Sequence, residues 1–581
     1  MTDLLTNHPE DLPIPNQTGG KFSWVDFLFL AVLIVVFVIP RGIALGRFVT
    51  ADEPTWGKRS AGFYYALSNG DFKNTFQDPH PGVTTMWAGA IAYMVMFPEY
   101  REVGQTALGD TKLLQIFQKH GPNPLELMAV ARLNVLLIMT ALAAVSFLFM
   151  RRLFGRSLAI LGFLFIAFDP LFLAHARFLH TNGLLSSLMF LSVLAFLDYL
   201  RTWKFYSLMI SGIAAGLAFI TITPGFLLIP SMFVLALLNL LIPAANGRDL
   251  KLKNWWKSLI LPLVLWGLVS LITIFIVWPS MWVRPVGSIL DIFQYTSSVT
   301  GGETEGAQFT DVFQIMSDRG IGYLTFYPRY FLWRTTPLVL IGLILAIPPL
   351  ARRKAALLLG AGVRRNLLLL LVYAAVYTVF MTLGAKKADR YFLPVHLPLD
   401  LAAAAGWLAL ANWLGQKIPS LRRYAAPYLL LAVVVGLQAF GTLREAPYYL
   451  TYYNPLLGGI QKAQDAMWIG WGEGLNEAAL YLKEKPGFCD QRIISWYPLA
   501  YNWYSISFGC DAQPVEFRSD TTLDDYLTNY DYALIYINQR QRDFPPQLLQ
   551  YLAGKQPEHV IHIDGVDYVR IYRLGQEEPG S

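Results

Sequence analysis

The sequence predicts a polytopic α-helical membrane protein of about 11 transmembrane helices with a small C-terminal extracytoplasmic α/β domain. Three observations predict this class. The 581-residue chain is 55% hydrophobic and only 15% charged, with a mean hydropathy of +0.41, whereas soluble domains carry about 25% charged residues. Apolar runs near spanning length recur from Trp24 to about residue 441. Lys and Arg gather in the short loops between those runs, which is the orientation signal of membrane proteins. The net charge of +6 therefore forms no basic stripe interleaved with aromatics, and a nucleic-acid groove is not indicated.

Residues 1–23 are a polar, mildly acidic tail without the basic start of a cleaved signal peptide, and are expected to be cytoplasmic. Spans are expected near 24–45, 128–150, 157–174, 183–200, 206–222, 225–243, 257–278, 336–350, 366–384, 390–412 and 425–441, the shorter ones extending into their flanks. Thr84 to Phe97 is apolar but only 14 residues long, so it reads as a juxtamembrane or re-entrant helix. Charge tests that choice. With the first helix running outward, the inner loops hold 17 basic residues and few acids, whereas counting 84–97 as a span would place Arg151, Arg152 and Arg156 outside.

Three segments then lie outside: 46–127, 279–335 and 445–581. The last reads as a mixed α/β domain. Gly474 to Lys485 has a helical pattern, Arg492–Trp496 and Tyr532–Ile537 are strand-like, and His559–Ile563 meets Val566–Tyr572 across Asp564-Gly565, a two-residue hairpin signal. The only cysteines, Cys489 and Cys510, both fall here; a disulfide and two separate structural thiols are both compatible with that.

Four clusters on the outer side could carry chemistry. Asp52-Glu53 follows the first helix, and charge near hydrocarbon, costing roughly 2.5–3.5 kcal/mol on insertion scales, marks functional candidates. Thr50-x-x-Glu53-Pro54 also fits a capping box that starts a helix. Asp78-Pro-His80-Pro-Gly82 is a rigid turn whose His80 could donate to a phosphate or sugar oxygen. Arg177, His180 and Asn182 form a polar hinge between the third and fourth spans, readable also as interfacial anchoring. Lys386-Lys387-Ala-Asp389-Arg390-Tyr391 is a dense basic cluster on the side where the sorting rule disfavours it. It suits a phosphate, with Arg390 able to bind two oxygens; the alternative is an Asp389 salt bridge with snorkelling lysines. Arg132 and Asn134, and Glu303 and Glu305, are lesser candidates, and Asp400 must be paired or face a polar cavity.

A carboxylate, a basic cluster and a membrane cavity suit attack by an acceptor hydroxyl on a sugar carried by a polyprenyl phosphate. The carboxylate takes the acceptor proton, and the cations neutralise the departing phosphate. At these residues the chain resembles the protein O-mannosyltransferase superfamily of integral-membrane (GT-C) glycosyltransferases, bacterial members included. Asp52-Glu53 sits where those enzymes place an Asp-Glu pair after their first helix. Asp78-Pro-His-Pro-Gly82 is similar to their Asp-x-His-Pro-Pro-Leu-Gly stretch, with Gly82 at the second proline. Ala176-Arg-Phe-Leu-His-Thr-Asn182-Gly-Leu-Leu resembles Ser-Arg-x-x-x-x-Asp-x-x-Leu, with Asn182 in place of the aspartate. Lys387 to Pro394 resembles Lys-x-x-Arg-Tyr-x-x-Pro, and Phe326-Tyr-Pro with Trp333-Arg-Thr-Thr-Pro-Leu is similar to the bacterial members.

The resemblance implies a GT-C-like domain over 24–444, inversion at the sugar carbon, Asp52 as general base and Glu53 as a supporting catalytic group. It implies donor or acceptor contacts from Asp78, His80, Arg132, Arg177, His180, Asn182, Lys386, Lys387, Arg390 and Tyr391. The implied partner is a polyprenyl-phosphate sugar, mannose among the candidates, used at the outer face of a plasma membrane. The acceptor is a protein, lipid or polysaccharide. No cofactor is certain; a divalent metal is compatible, but no His/Cys ligand spacing indicates one. A transporter of lipid-linked sugars is the reading from a different class. It is disfavoured because the polar clusters concentrate at one face and no internal repeat is visible.

Overall fold

The computed structural model describes residues 23–106, 109–241, 255–301, 324–352, 355–384, 387–418, 426–511, 517–518 and 521–575. The expected tail 1–22, Lys386, Glu303 and Glu305 lie outside these residues.

The first helix, α1 (Trp24–Gly42), starts where Ser23 donates from its backbone N and Oγ to Asp26, at 2.9 and 3.0 Å. The acidic stretch then turns into α2 (Glu53–Ser68), with Pro54 in its first turn, where a missing N–H costs nothing. Next comes α3 (Val83–Met96), the 14-residue helix expected beside the membrane. A 31-residue helix, α4 (Pro124–Phe154), is capped by Asn123, whose side chain accepts from the Leu125 N–H at 2.9 Å.

The third expected span is not continuous. It divides into α5 (Arg156–Ala167) and the single-turn-plus α6 (Pro170–His175). Pro170 pushes Asp169 out of helical geometry, and Asp169 caps the new start by accepting from the Phe172 N–H at 2.6 Å. The carbonyls freed at the break are satisfied. Phe168 accepts from Thr442 Oγ1 at 2.7 Å and Gln438 Nε2 at 3.2 Å, and Ala167 accepts from Arg41 at 3.1 Å, as irregular backbone within a helical bundle requires.

Then follow α7 (Thr181–Thr202), α8 (Phe205–Thr221), α9 (Leu228–Leu241), α10 (Leu261–Val277) and α11 (Pro285–Gly301). After these come α12 (Phe326–Arg334), α13 (Pro337–Ala351), α14 (Ala361–Leu383), α15 (Leu393–Lys417) and α16 (Ala426–Leu443). Among the described residues eight helical stretches are long and apolar enough to cross a membrane, and nine if α12 and α13, bent by 116°, count as one. The two further spans expected from sequence, α5 and α8, are apolar but shorter. The chain is a multi-pass helical membrane protein.

Charge separates the bundle's two ends. Asp26 of α1 meets Arg151 at 2.9 Å and Arg156 at 2.7 Å. Asp198 of α7 meets Arg152 at 2.7 Å and Arg201 at 3.3 Å. Asp52, Arg132 and His180 lie toward the other ends of α1, α4 and α7; along α4 the 19 residues from Arg132 to Arg151 rise about 28 Å.

Beyond α16 the C-terminal segment forms β1 (Ile493–Ser495), β2 (Tyr532–Tyr536), β3 (His559–Ile563) and β4 (Val566–Arg573) in the order β1-β2-β4-β3. β1 pairs parallel with β2, and the other pairs are antiparallel. The hairpin turns at Asp564 and Gly565, both at positive φ (50° and 76°), the geometry that fits the twist of two-residue loops. One face, with Leu534, Tyr536, Val569 and Ile571, joins the core shared with the bundle. The other, with Ile494, Ala533, Ile535 and Tyr572, packs on Leu548 and Leu552. Cys489 and Cys510 are joined in a disulfide.

The junction is titratable. Glu445, just past α16, is 7% exposed and bonds Arg444 at 2.7 Å. Burial first, and a hydrogen bond to Asp564 of the hairpin turn second, push its carboxyl up to about 7. A carboxyl raised on folding favours the folded state fully below its unfolded value, near 4.5, and that contribution is lost as pH rises through about 7. The expected result is a thermal midpoint that falls between pH 5 and 7.5 in wild type and falls less in Glu445→Gln, measured by melting of the full-length protein in detergent.

Candidate active site

Asp52 is the residue before α2, and its side chain is 38% exposed. One carboxylate oxygen lies 3.2 Å from His180 Nε2 and 3.5 Å from the Arg390 guanidinium. The carboxylate, the hinge between the third and fourth helical segments and the basic cluster therefore meet at one point, although Asp52 and Arg390 are 338 residues apart.

Glu53, its neighbour, turns the other way and is fully buried. It accepts from the Thr50 N–H at 2.9 Å, Thr50 Oγ1 at 3.0 Å, the Leu179 N–H at 2.9 Å and Arg132 Nε at 2.6 Å, with a second contact from an Arg132 terminal nitrogen. Burial alone would raise this carboxyl, but the Arg132 charge and these donors hold it below the ordinary range. Glu53 reaches back to the Thr50 N–H as in a capping box, but the reciprocal bond from the Glu53 N–H to the Thr50 hydroxyl is not made and α2 begins only after Asp52; the Glu53 contacts fix the backbone from which Asp52 projects. Arg132 also donates to the Phe48 carbonyl at 2.6 Å and to that of Leu45.

His180 caps α7, and the Asn182 N–H reaches its Nδ1 at 3.4 Å. A backbone N–H can only donate, so Nδ1 accepts and Nε2 carries the proton that faces Asp52. Burial pushes this imidazole below its ordinary range, against the pull of Asp52, and a neutral ring results. Asn182 is buried, with its amide 3.3 Å from the same ring nitrogen. His175, the last residue of α6, is also buried, its ring 6.1 Å from that of His180.

The Asp78–Gly82 turn reaches the same place through Trp56, whose ring meets His80 at 6.0 Å and His180 at 6.1 Å, edge to face. Asp78 shapes the turn: it accepts from the His80 N–H at 2.8 Å and from Arg59 at 2.6 Å. Gly82 has φ +62°, and a Cβ there would lie 1.9 Å from the Trp56 ring. A second proline could not take that φ, so glycine here tightens the turn against Trp56.

The basic cluster divides. Asp389–Phe392 is a short 3₁₀ turn. Asp389 pairs with Arg334 at 2.8 Å, which leaves Arg390 directed at Asp52. Lys387, expected at the substrate, is buried; its Nζ donates to the carbonyls of Thr382 at 2.8 Å and Gly384 at 3.2 Å and so caps α14. Tyr391 accepts a hydrogen bond from Tyr377 through its backbone carbonyl at 2.9 Å, and Arg390 lies 5.6 Å from its ring. Arg132 and Arg177, also expected at the substrate, are likewise held by protein carbonyls. Both are fully buried, and Arg177 bonds the Ile43 and Pro447 carbonyls. Long cations placed near an outer surface by sequence are drawn inward because these helix ends and loops leave carbonyls that need donors.

Asn134 ties α4 to the Ala88 carbonyl of α3 at 2.9 Å. Asp400, expected to be paired or to face a polar cavity, is fully buried, and neither carboxylate oxygen has a hydrogen-bond partner among the described residues. No group of three or more His, Cys, Asp or Glu is placed to hold a metal ion among the described residues.

Sequence reasoning missed Trp471. It reaches over from the C-terminal segment, its ring 5.1 Å from His180 and 5.5 Å from His175, with Arg390 5.0 Å from its centroid. The available signal was Gly470-Trp-Gly-Glu-Gly474, alternating glycines around one tryptophan. Arg334, the partner of Asp389, was visible only within a motif.

Residues 126–278 match a family model described as dolichyl-phosphate-mannose-protein mannosyltransferase, in keeping with the GT-C glycosyltransferase resemblance read from the motifs. No curated protein matches the chain. Among solved structures, it is similar to ArnT from Cupriavidus metallidurans bound to undecaprenyl phosphate, at 17% identity over 94% of this chain and 98% of that one, with a TM-score of 0.43. It is similar to the Archaeoglobus fulgidus oligosaccharyltransferase at 12% identity over 90% of this chain and 71% of that one, with a TM-score of 0.44. It is also similar to the S. cerevisiae protein O-mannosyltransferase Pmt1-Pmt2 complex at 17% identity, over 46% of this chain and 35% of that one, with a TM-score of 0.33.

Proposed function

We propose that this protein is a membrane glycosyltransferase that moves a sugar from a polyprenyl-phosphate carrier to an acceptor hydroxyl, with inversion. The observation that carries the reading is the shared position of Asp52 and Arg390, 3.5 Å apart and both accessible in part. Asp52 takes the proton as the acceptor oxygen bonds to the sugar carbon. The bond from that carbon to the phosphate oxygen breaks with its electron pair, and Arg390 meets the charge that develops there. His180 holds Asp52 by a single N–H from Nε2, and its other nitrogen accepts from the Asn182 N–H, so no free lone pair of the ring is turned to the acceptor.

The site lies at the end of the bundle away from Arg151, Arg152, Arg156 and Arg201, and basic loops favour the cytoplasm. The disulfide of the C-terminal domain suits an oxidising compartment. Both support an extracytoplasmic site in a plasma membrane, with the N-terminus inside. The family description supports testing mannose first. The acceptor is a protein, lipid or glycan hydroxyl.

The test is transfer by full-length protein in nanodiscs. Undecaprenyl phosphate carrying mannose, then other hexoses and pentoses, is supplied with envelope lipids and proteins, and products are read by mass spectrometry. Glycosylated acceptor with release of undecaprenyl phosphate is expected. In sealed vesicles, movement of the intact lipid-linked sugar across the bilayer without transfer would instead establish a transporter.

A further inference from the structure

The loop that carries Trp471 is braced on both sides. Trp471 N–H donates to Glu473 at 2.6 Å, Glu473 accepts from Tyr536 Oη at 3.1 Å, and the Gly472 N–H reaches the same hydroxyl at 2.9 Å. Tyr536 closes strand β2, so the loop is anchored to the sheet. On its other side the Trp471 carbonyl accepts from the Ala51 N–H at 3.0 Å, one residue before Asp52. Gly472 sits at φ +117°, and a Cβ there would lie 2.5 Å from the Val49 carbonyl, so only glycine permits this approach. The indole, half-buried, then touches both partners of Asp52: His180 edge-on at 5.1 Å, and Arg390 above its ring at 5.0 Å.

We infer that Trp471 is a positioning residue that holds the Arg390 guanidinium by its aromatic face and so presents that cation to the donor's phosphate, which makes the C-terminal segment a working part of the site. A guanidinium above an indole face is attracted by the ring's quadrupole, and Arg390 Nε has no hydrogen-bond partner among the described residues, so beside the 3.5 Å contact to Asp52 the ring is what orients the group. This inference rests on the reading of Arg390 as the phosphate-binding cation.

The experiment measures undecaprenyl phosphate binding to full-length protein in nanodiscs, with melting of each variant as a check on folding. Trp471→Ala is expected to weaken binding about tenfold, and Trp471→Phe to recover most of it. Trp471→Leu, which keeps apolar bulk without an aromatic face, is expected to match Trp471→Ala and replaces it if that variant does not fold. In an Arg390→Ala background the Trp471 substitutions are expected to add nothing, since the two groups act as one. Losses that multiply instead, a Leu variant that binds like wild type, or no loss in either variant would overturn the inference. Unchanged binding in Arg390→Ala alone would remove the phosphate reading beneath it, an outcome distinguishable from failure of Trp471.

Discussion

Asp52→Asn is expected to lower sugar transfer by about a thousandfold while leaving undecaprenyl phosphate bound at least as tightly. A positioned general base contributes about 10² to 10⁴ in rate, and asparagine has no lone pair basic enough to take the acceptor's proton. Its amide oxygen can still accept from His180 Nε2, 3.2 Å away, so the hinge and the ring keep their places. Arg390 loses its anionic neighbour at 3.5 Å and is freer to meet a phosphate, which is why binding is expected to hold or tighten. The measurement is kcat and lipid affinity on the same preparation. Transfer within about tenfold of wild type would exclude Asp52 as the base, because that is below the range this catalysis spans. Loss of lipid affinity with transfer would mean that Asp52 shapes the site.

The helices were legible because their signal is local. Apolar runs located the helical segments, and α3 falls with α5 and α8 among the apolar helices too short to count as spans by length. The break at Phe168 was marked too: Asp169-Pro170 is a cap followed by a residue that cannot continue a helix, but an apolar run on both sides masks it. Asp52 stood out as charge just past the first helix and through the order of the motifs. The direction of each cation was not. Lys387 and Arg390 are three residues apart, and the 3₁₀ turn that sends one to the α14 carbonyls and the other to Asp52 is set by Arg334 drawing Asp389 aside. The surroundings of Arg132 and Arg177 were hidden for the same reason: sequence gives charge and spacing, but not which buried carbonyls lack donors. Trp471 was missed because it acts 419 positions after Asp52 in the chain, and a glycine-alternating loop announces a close approach without naming what is approached.

Arg132→Met is expected to destabilise the protein by about 3–5 kcal/mol, the cost of removing one member of a buried ion pair. Glu53 would keep its charge with no cation and no water, since both side chains are fully buried. The Phe48 and Leu45 carbonyls would lose their donor as well. Glu53→Gln is expected to cost less. It removes the charge, but in either orientation its amide N–H₂ must oppose an Arg132 N–H together with the donors from Thr50 or the one from Leu179. Replacing both, as Glu53→Leu with Arg132→Met, is expected to recover part of the loss in melting, because two matched apolar groups leave no buried charge. Transfer is not expected to return with stability. The segment that Glu53 and Arg132 hold together is Leu45 to Glu53, and Asp52 projects from its last turn. A double variant that melts near wild type yet transfers poorly, with lipid affinity retained, is the expected signature of a pair that aims the base. Full transfer in that variant would show that the backbone around Asp52 is held by the Tyr504 hydroxyl at the Val49 N–H and by Trp471 at Ala51 without the buried charges.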